Sequence, residues 1–103
     1  MVIYKVLRPD EWAVLEAAGE TAGSADDRAD GFIHFSTAAQ LAGTLARHFA
    51  GEAGLLLAAV DAENAGPALR WEPSRGGAPF PHLHRRLARA EVLWCRPVAA
   101  GLP

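Results

Sequence analysis

Helix-type periodicity is confined to the first half of this chain, and strand-type segments fill the second half. This order excludes more folds than any other feature of the sequence. Pro9 suits a first helical turn, Asp10 and Glu11 suit the positive end of its dipole, and Trp12, Leu15 and Ala18 form a modest apolar stripe before Gly19 stops it. A second helix is expected over 37–50. Thr37-Ala38-Ala39-Gln40 has capping-box form, Leu41, Leu45 and Phe49 recur every four residues, and Gly51 ends the pattern. Strands are expected at 2–7, 31–36, 55–60, 68–72, from residue 80 toward 87, and at 91–96, with 55–60 apolar throughout and therefore buried on both faces. The order β-α-β-α-β-β-β-β predicts an α+β fold with two helices and a six-strand mixed or antiparallel split sheet, and excludes a doubly wound parallel sheet.

At 103 residues the chain predicts one domain spanning 1–103. Half of its residues are hydrophobic and 21% are charged, which excludes whole-chain disorder. The formal charge of −2 argues against binding nucleic acid through bulk charge. Cys95 is the sole cysteine, so no internal disulfide forms, and the longest apolar run is far too short to span a membrane. A cytoplasmic protein without membrane association is expected. Residues 21–31 carry turn formers and acids and read as a solvated loop. An EF-hand frame beginning at Asp26 fails, because it puts Arg28 at the third position and Thr37 at the twelfth.

Candidate chemistry gathers around histidine. His34 sits mid-strand, sharing a face with Phe32 and Ser36, just before a helix start where backbone N–H groups are free to meet an anion. His82 and His84 are two apart and share a face if extended, with Glu72 ten residues before His82. His48, near the end of the second helix, reads as a structural cation. Charge is uneven: 70–96 holds six arginines against two acids, while the first fifty residues hold four bases against seven acids. Two readings stay open on residues alone. In one, His34, His82, His84 and Glu72 bind a metal ion. In the other, a cleft holds a phosphorylated small molecule. Ser36, Thr37 and an arginine would hold its phosphate, Trp71 would offer a flat face to a ring, and Glu72 or a histidine would act as acid or base. Cys95, between Trp94 and Arg96, reads as inert, and no nucleophile elbow, dinucleotide fingerprint or P-loop is present.

The stretches IYKV, DGFIHFSTAAQ, LRWEPSRGG and FPHLHRRL, together covering about 3–97, resemble the bacterial domain of unknown function family 952. The resemblance implies a fold similar to the ADP-ribosyltransferase superfamily, whose two small sheets flank a cleft that binds NAD in active members. GFIHFST is also similar to the His-rich strand of RNA 2′-phosphotransferases. On this resemblance His34, Ser36 and Thr37 would correspond to the superfamily's second motif and Glu72 to its acidic third motif. The opening strand offers Tyr4 and Lys5 where the first motif carries His or Arg, and His84 stands where the family commonly has Tyr. The expectation is a nucleotide-like ligand with NAD as cofactor and ADP-ribosyl transfer as activity. Catalysis would fall to His34, Glu72 and His82, and ligand binding to Tyr4, Ser36, Thr37, Trp71, Arg75, His84 and Arg85. The alternatives are a non-enzymatic ligand-binding module on the same fold and a three-histidine metal protein.

Overall fold

The computed structural model describes residues 1–103, except for the side chain of Arg75. The fold is α+β, and every strand pairing is antiparallel. β1 (Val2–Leu7), β4 (Leu56–Asp61) and β8 (Val92–Pro97) form one sheet in the order β1-β4-β8. β3 (Ile33–His34), β6 (Pro79–Leu83) and β5 (Leu69–Pro73) form a second, with β6 central. β2 (Glu20–Thr21) and β7 (Leu87–Ala88) pair as a small third sheet.

The β1-β4-β8 sheet is covered on both faces. Ile3 and Leu7 of β1 with Ala58 and Val60 of β4 pack into a cluster with Leu15, Phe35 and Leu83. Tyr4, Val6, Leu57 and Ala59, from the alternate positions, pack instead against Leu41, Leu45 and Phe49. Double coverage explains why 55–60 is apolar without alternation. Leu41 and Leu45 lie on α3 (Leu41–His48), and Phe49 follows at its C-cap, so the four-residue repeat does face a core. Leu15 is the buried residue of α1 (Pro9–Ala18), which begins with Pro9 and ends at Gly19.

Four expectations change. The six strands become eight, because the segment from residue 80 breaks after Leu83 and Leu87–Ala88 leaves to pair with Glu20–Thr21. The two helices become four, with α2 (Ala25–Asp30) and the short α4 (Ala62–Ala65) added. The second helix opens as a 3₁₀ turn at Ala38–Gln40, capped by Thr37, and becomes α-helical only at Leu41. The largest correction falls on 21–31, which is not a solvated loop. Ser24 caps α2 by accepting from the Asp27 N–H, and Asp27 accepts in return from the Ser24 N–H, a full capping box.

The segment 33–36 joins the two larger sheets. His34 pairs with His82 in the second sheet. Two residues later Ser36 forms an antiparallel bridge to Tyr4 at the edge of the first, with N–H···O distances of 2.8 and 2.9 Å. Along this seam a cavity of about 180 Å³ opens.

Candidate functional site

Strand geometry assembles the site. Because His34 and His82 are direct cross-strand partners, their side chains lie on the same face. Alternation adds Phe32 and Ser36 beside His34, and Phe80 and His84 beside His82. Glu72 lies opposite Phe80 on β5, which places it diagonal to His82. Phe32 locks the rings together, stacking on His82 at 4.2 Å and lying 4.6 Å from His34 and 5.0 Å from His84 between ring centroids.

Glu72 orients two of the histidines. Its Oε1 accepts from His84 Nε2 at 2.7 Å and from His82 Nδ1 at 2.9 Å. The hydrogen bond from His84, then that from His82, holds the Glu72 carboxyl below its usual range. His82 is 4% exposed. Burial pushes its imidazolium down by more than the neighbouring carboxylate raises it. A neutral ring that donates through Nδ1 carries a bare lone pair on Nε2. That Nε2 is buried and has no hydrogen-bond partner among the described residues. His82 lines the cavity and Glu72 does not.

His34 sits between two carboxylates of α2. Its Nδ1 lies 2.6 Å from Asp27 Oδ1 and its Nε2 lies 3.0 Å from Asp30 Oδ2. The Nδ1 contact is a hydrogen bond. Asp27 is 1% exposed. Its other oxygen accepts from Lys5 Nζ at 2.7 Å and from the Ser24 N–H at 2.9 Å. Burial alone would push the Asp27 carboxyl up. The hydrogen bond from His34 and the Lys5 charge outweigh burial and hold it well below the usual carboxylate range. Gly23 makes room for this carboxylate: with φ +97°, a Cβ there would stand 2.2 Å from Asp27 Oδ2.

The expected site residues therefore separate. Tyr4, His34, Ser36 and His82 share the cavity wall. Glu72 and His84 stand behind His82. Thr37 is spent on its cap, and Ser36 Oγ lies 2.8 Å from Thr44 Oγ1. Trp71, 43% exposed, is neither core nor cavity wall. Arg85 is held away from the cavity by Glu91 and the Ala65 carbonyl. The expected role of Arg75 concerns a side chain outside the described residues. Other arginines of 70–96 are engaged elsewhere: Arg86 approaches Glu20, Arg89 lies over Trp12, and Arg96 lies over Trp94. His48, expected only as a helix-end cation, also lines the cavity.

Sequence reasoning missed Asp27, Asp30 and Lys5. The Ser24-Ala-Asp-Asp27 capping pattern and the presence of a single lysine were the available signals. The three-histidine metal reading finds no matching geometry. Among the described residues no group of three His, Cys, Asp or Glu side chains is arranged to hold an ion, and the ring nitrogens that do have partners face carboxylates. Burial raises the Cys95 thiol, in keeping with an inert residue. No helix among the described residues is long and apolar enough to cross a membrane.

Comparison with known proteins agrees with this architecture. A family model described as "Protein of unknown function (DUF952)" matches residues 6–95. The crystal structure of protein CC0527 from Caulobacter crescentus is 49% identical, with a TM-score of 0.91, covering 94% of this chain and 85% of that one. The solution NMR structure of CC0527 is 48% identical, with a TM-score of 0.83, covering 99% and 90%. No curated protein matches the chain.

Proposed function

Since this chain belongs to the DUF952 family of proteins of unknown function, its site must speak for its activity, and we propose that the cavity binds the sugar end of a nucleotide-like small molecule, with His82 accepting a proton or hydrogen bond from a ligand hydroxyl. One observation carries this reading: a cavity-lining imidazole fixed through Nδ1 by a carboxylate, whose buried Nε2 has no hydrogen-bond partner among the described residues. An unmatched buried polar atom costs about 1–3 kcal/mol, and a ligand O–H or N–H would offset that cost. The hydroxyls of Tyr4 and Ser36 on the same wall suit a polyhydroxyl partner. Glu72 is a positioning residue here, acting through His82.

The cavity, at about 180 Å³, is smaller than the roughly 300–1,000 Å³ of pockets that enclose whole drug-sized ligands. A sugar or one ring fits; a dinucleotide would have to extend outside. The cations on the wall are already matched, Lys5 by Asp27 and Arg8 by Glu11 and Glu52. The described residues thus fit the ribose hydroxyls of NAD but not its diphosphate. NAD-dependent ADP-ribosyl transfer is the narrower form of this proposal, supported by the two-sheet layout around His34 and Ser36.

The test is a titration with adenosine, AMP, ADP-ribose and NAD, read by thermal shift and by the imidazole resonances of His82. Stabilisation that disappears in His82→Gln supports the proposal. No response to any of the four at millimolar concentration overturns it. Chemical analysis of the bound ligand then separates an enzyme from a binding module, because only an enzyme changes it.

A further inference from the structure

The polar groups that line the cavity include main-chain ones. We propose that the N–H and C=O of Val6 form a recognition rung for a vicinal diol, one hydroxyl accepting from the N–H and its neighbour donating to the C=O. This rests on the binding reading above and names the part of the sugar that the site selects, a cis-diol such as that of ribose.

The rung belongs to a ladder that stops short. Tyr4 and Ser36 exchange both main-chain hydrogen bonds, at 2.8 and 2.9 Å. Along a strand, every second residue turns its N–H and C=O to the same edge. Val6 therefore presents both groups to the edge that Tyr4 uses, away from β4. Continued for two residues in antiparallel register, the ladder would set His34 opposite Val6. The His34 N–H goes instead to Asp27 Oδ1 at 3.1 Å, and the cavity opens where the two strands part, with Val6, Asp27 and His34 on its wall. Among the described residues, the Val6 N–H and C=O have no hydrogen-bond partner, although the residue is only 4% exposed. Unpaired main-chain groups in so buried a residue are rare. Tyr4 adds a third such group: it is buried, it lines the same cavity, and its hydroxyl has no partner among the described residues.

The form of the rung selects its guest. The N–H and C=O of one extended residue point the same way, so a guest must carry an acceptor and a donor side by side. The two oxygens of a cis-diol do so, because each hydroxyl both donates and accepts. Taking away either hydroxyl leaves a main-chain group buried without a partner. A site built to hydrogen-bond a hydroxyl discriminates strongly against the analogue that lacks it. The cavity, at about 180 Å³, admits one sugar ring. Lys5 and Arg8 on its wall are matched by carboxylates, so selection by main-chain groups asks for no phosphate.

Amide hydrogen exchange and ¹H–¹⁵N spectra of the wild-type protein read the rung directly. Without ligand, the Val6 amide should exchange faster than those of Ile3 and Lys5, which face β4. Equal protection of all three overturns the proposal. Adenosine should move the Val6 amide resonance, slow its exchange, and bind about tenfold or more tightly than 2′-deoxyadenosine. Equal affinity for the two overturns the diol assignment and leaves the binding reading standing. Adenine that binds as tightly as adenosine, with the same Val6 shift, puts a base edge on the rung and overturns it as well. No binding of any of the three overturns both readings. Val6→Pro removes the N–H and keeps an apolar side chain, at a strand edge where proline is tolerated. It should abolish the preference for adenosine over 2′-deoxyadenosine, and a preference that survives in it counts against the rung. Should that variant not fold, the wild-type titration decides.

Discussion

Asp27 and Glu72 both hold a histidine of the cavity wall, but Asp27 does so inside a closed network and Glu72 inside an open one. Around Asp27 every carboxylate oxygen has partners, drawn from β1, from the cap residue of α2 and from β3. Around Glu72 a single oxygen serves two rings, and the far nitrogen of one of them is left without a match. The first arrangement spends its electrostatics on holding the fold. The second leaves an interaction that folding does not complete. The comparison teaches that burial and charge alone do not mark a functional group: Asp27 is the more buried and the more strongly shifted of the two, and it is the less available for chemistry.

Removing Asp27 is the severest way to break the contrast. Asp27→Ala strands Lys5 as an unpaired buried cation and removes half of the α2 capping box, so a loss of about 3–5 kcal/mol is expected in chemical denaturation. A loss below about 1 kcal/mol would mean that the network is not structural. Acid should act on the same group more gradually. Its folded-state pKa lies below the unfolded value, so the unfolded chain binds more protons and stability rises with pH. The contribution is complete above about pH 4 and erodes as acid drives the pH down toward the depressed folded value. Denaturation midpoints at pH 5 and pH 3 should diverge in the wild type and diverge less in Asp27→Asn.

Gly23→Ala comes next, at about 1–3 kcal/mol, since the added methyl meets Asp27 Oδ2 in a backbone conformation that disfavours any side chain. Glu72→Gln sharpens the comparison from the other side. The denaturation midpoint should hardly move, while affinity for a bound nucleoside falls about tenfold as His82 loses its fixed tautomer. A large stability loss with unchanged affinity would reverse the roles assigned to the two carboxylates. The smallest effect is expected for Arg85→Ala, within about 0.5 kcal/mol and without change in binding. A drop in affinity there would restore the arginine-rich half as a phosphate site.

What the sequence disclosed, and what it hid, divides by range. β1, β4 and β8 were legible because apolar content and β-branched residues mark them locally, and α1 because Pro9 and Gly19 bracket it. The pairing of Glu20–Thr21 with Leu87–Ala88 was hidden, since two-residue strands carry no periodicity. The partnership of His34 with His82 was suspected from shared residue type, and its register became visible only through the sheet. Lys5 and Asp27 lie twenty-two positions apart, and no local pattern joins them. The acids of 21–31 were read as solvated because acids usually are, and Asp27 escapes that rule only because Lys5 and His34 come to it from other elements. The arginines misled in the opposite sense: their density suggested a phosphate site, yet Arg85, Arg86, Arg89 and Arg96 are turned toward carboxylates and aromatic faces elsewhere on the surface.

The short run from Ile33 to Ser36 belongs to two sheets at once, hydrogen-bonded to β6 at one end and to Tyr4 at the other. It therefore works like a rivet. The walls on either side of it cannot drift apart without shearing a ladder that is part of both, so the width of the gap is set when the chain folds and not when a guest arrives. A ligand of the kind proposed would meet a cast mould: selectivity would come from what fits, and any give from the helix that carries Asp30 or from side chains turning, not from the sheets yielding.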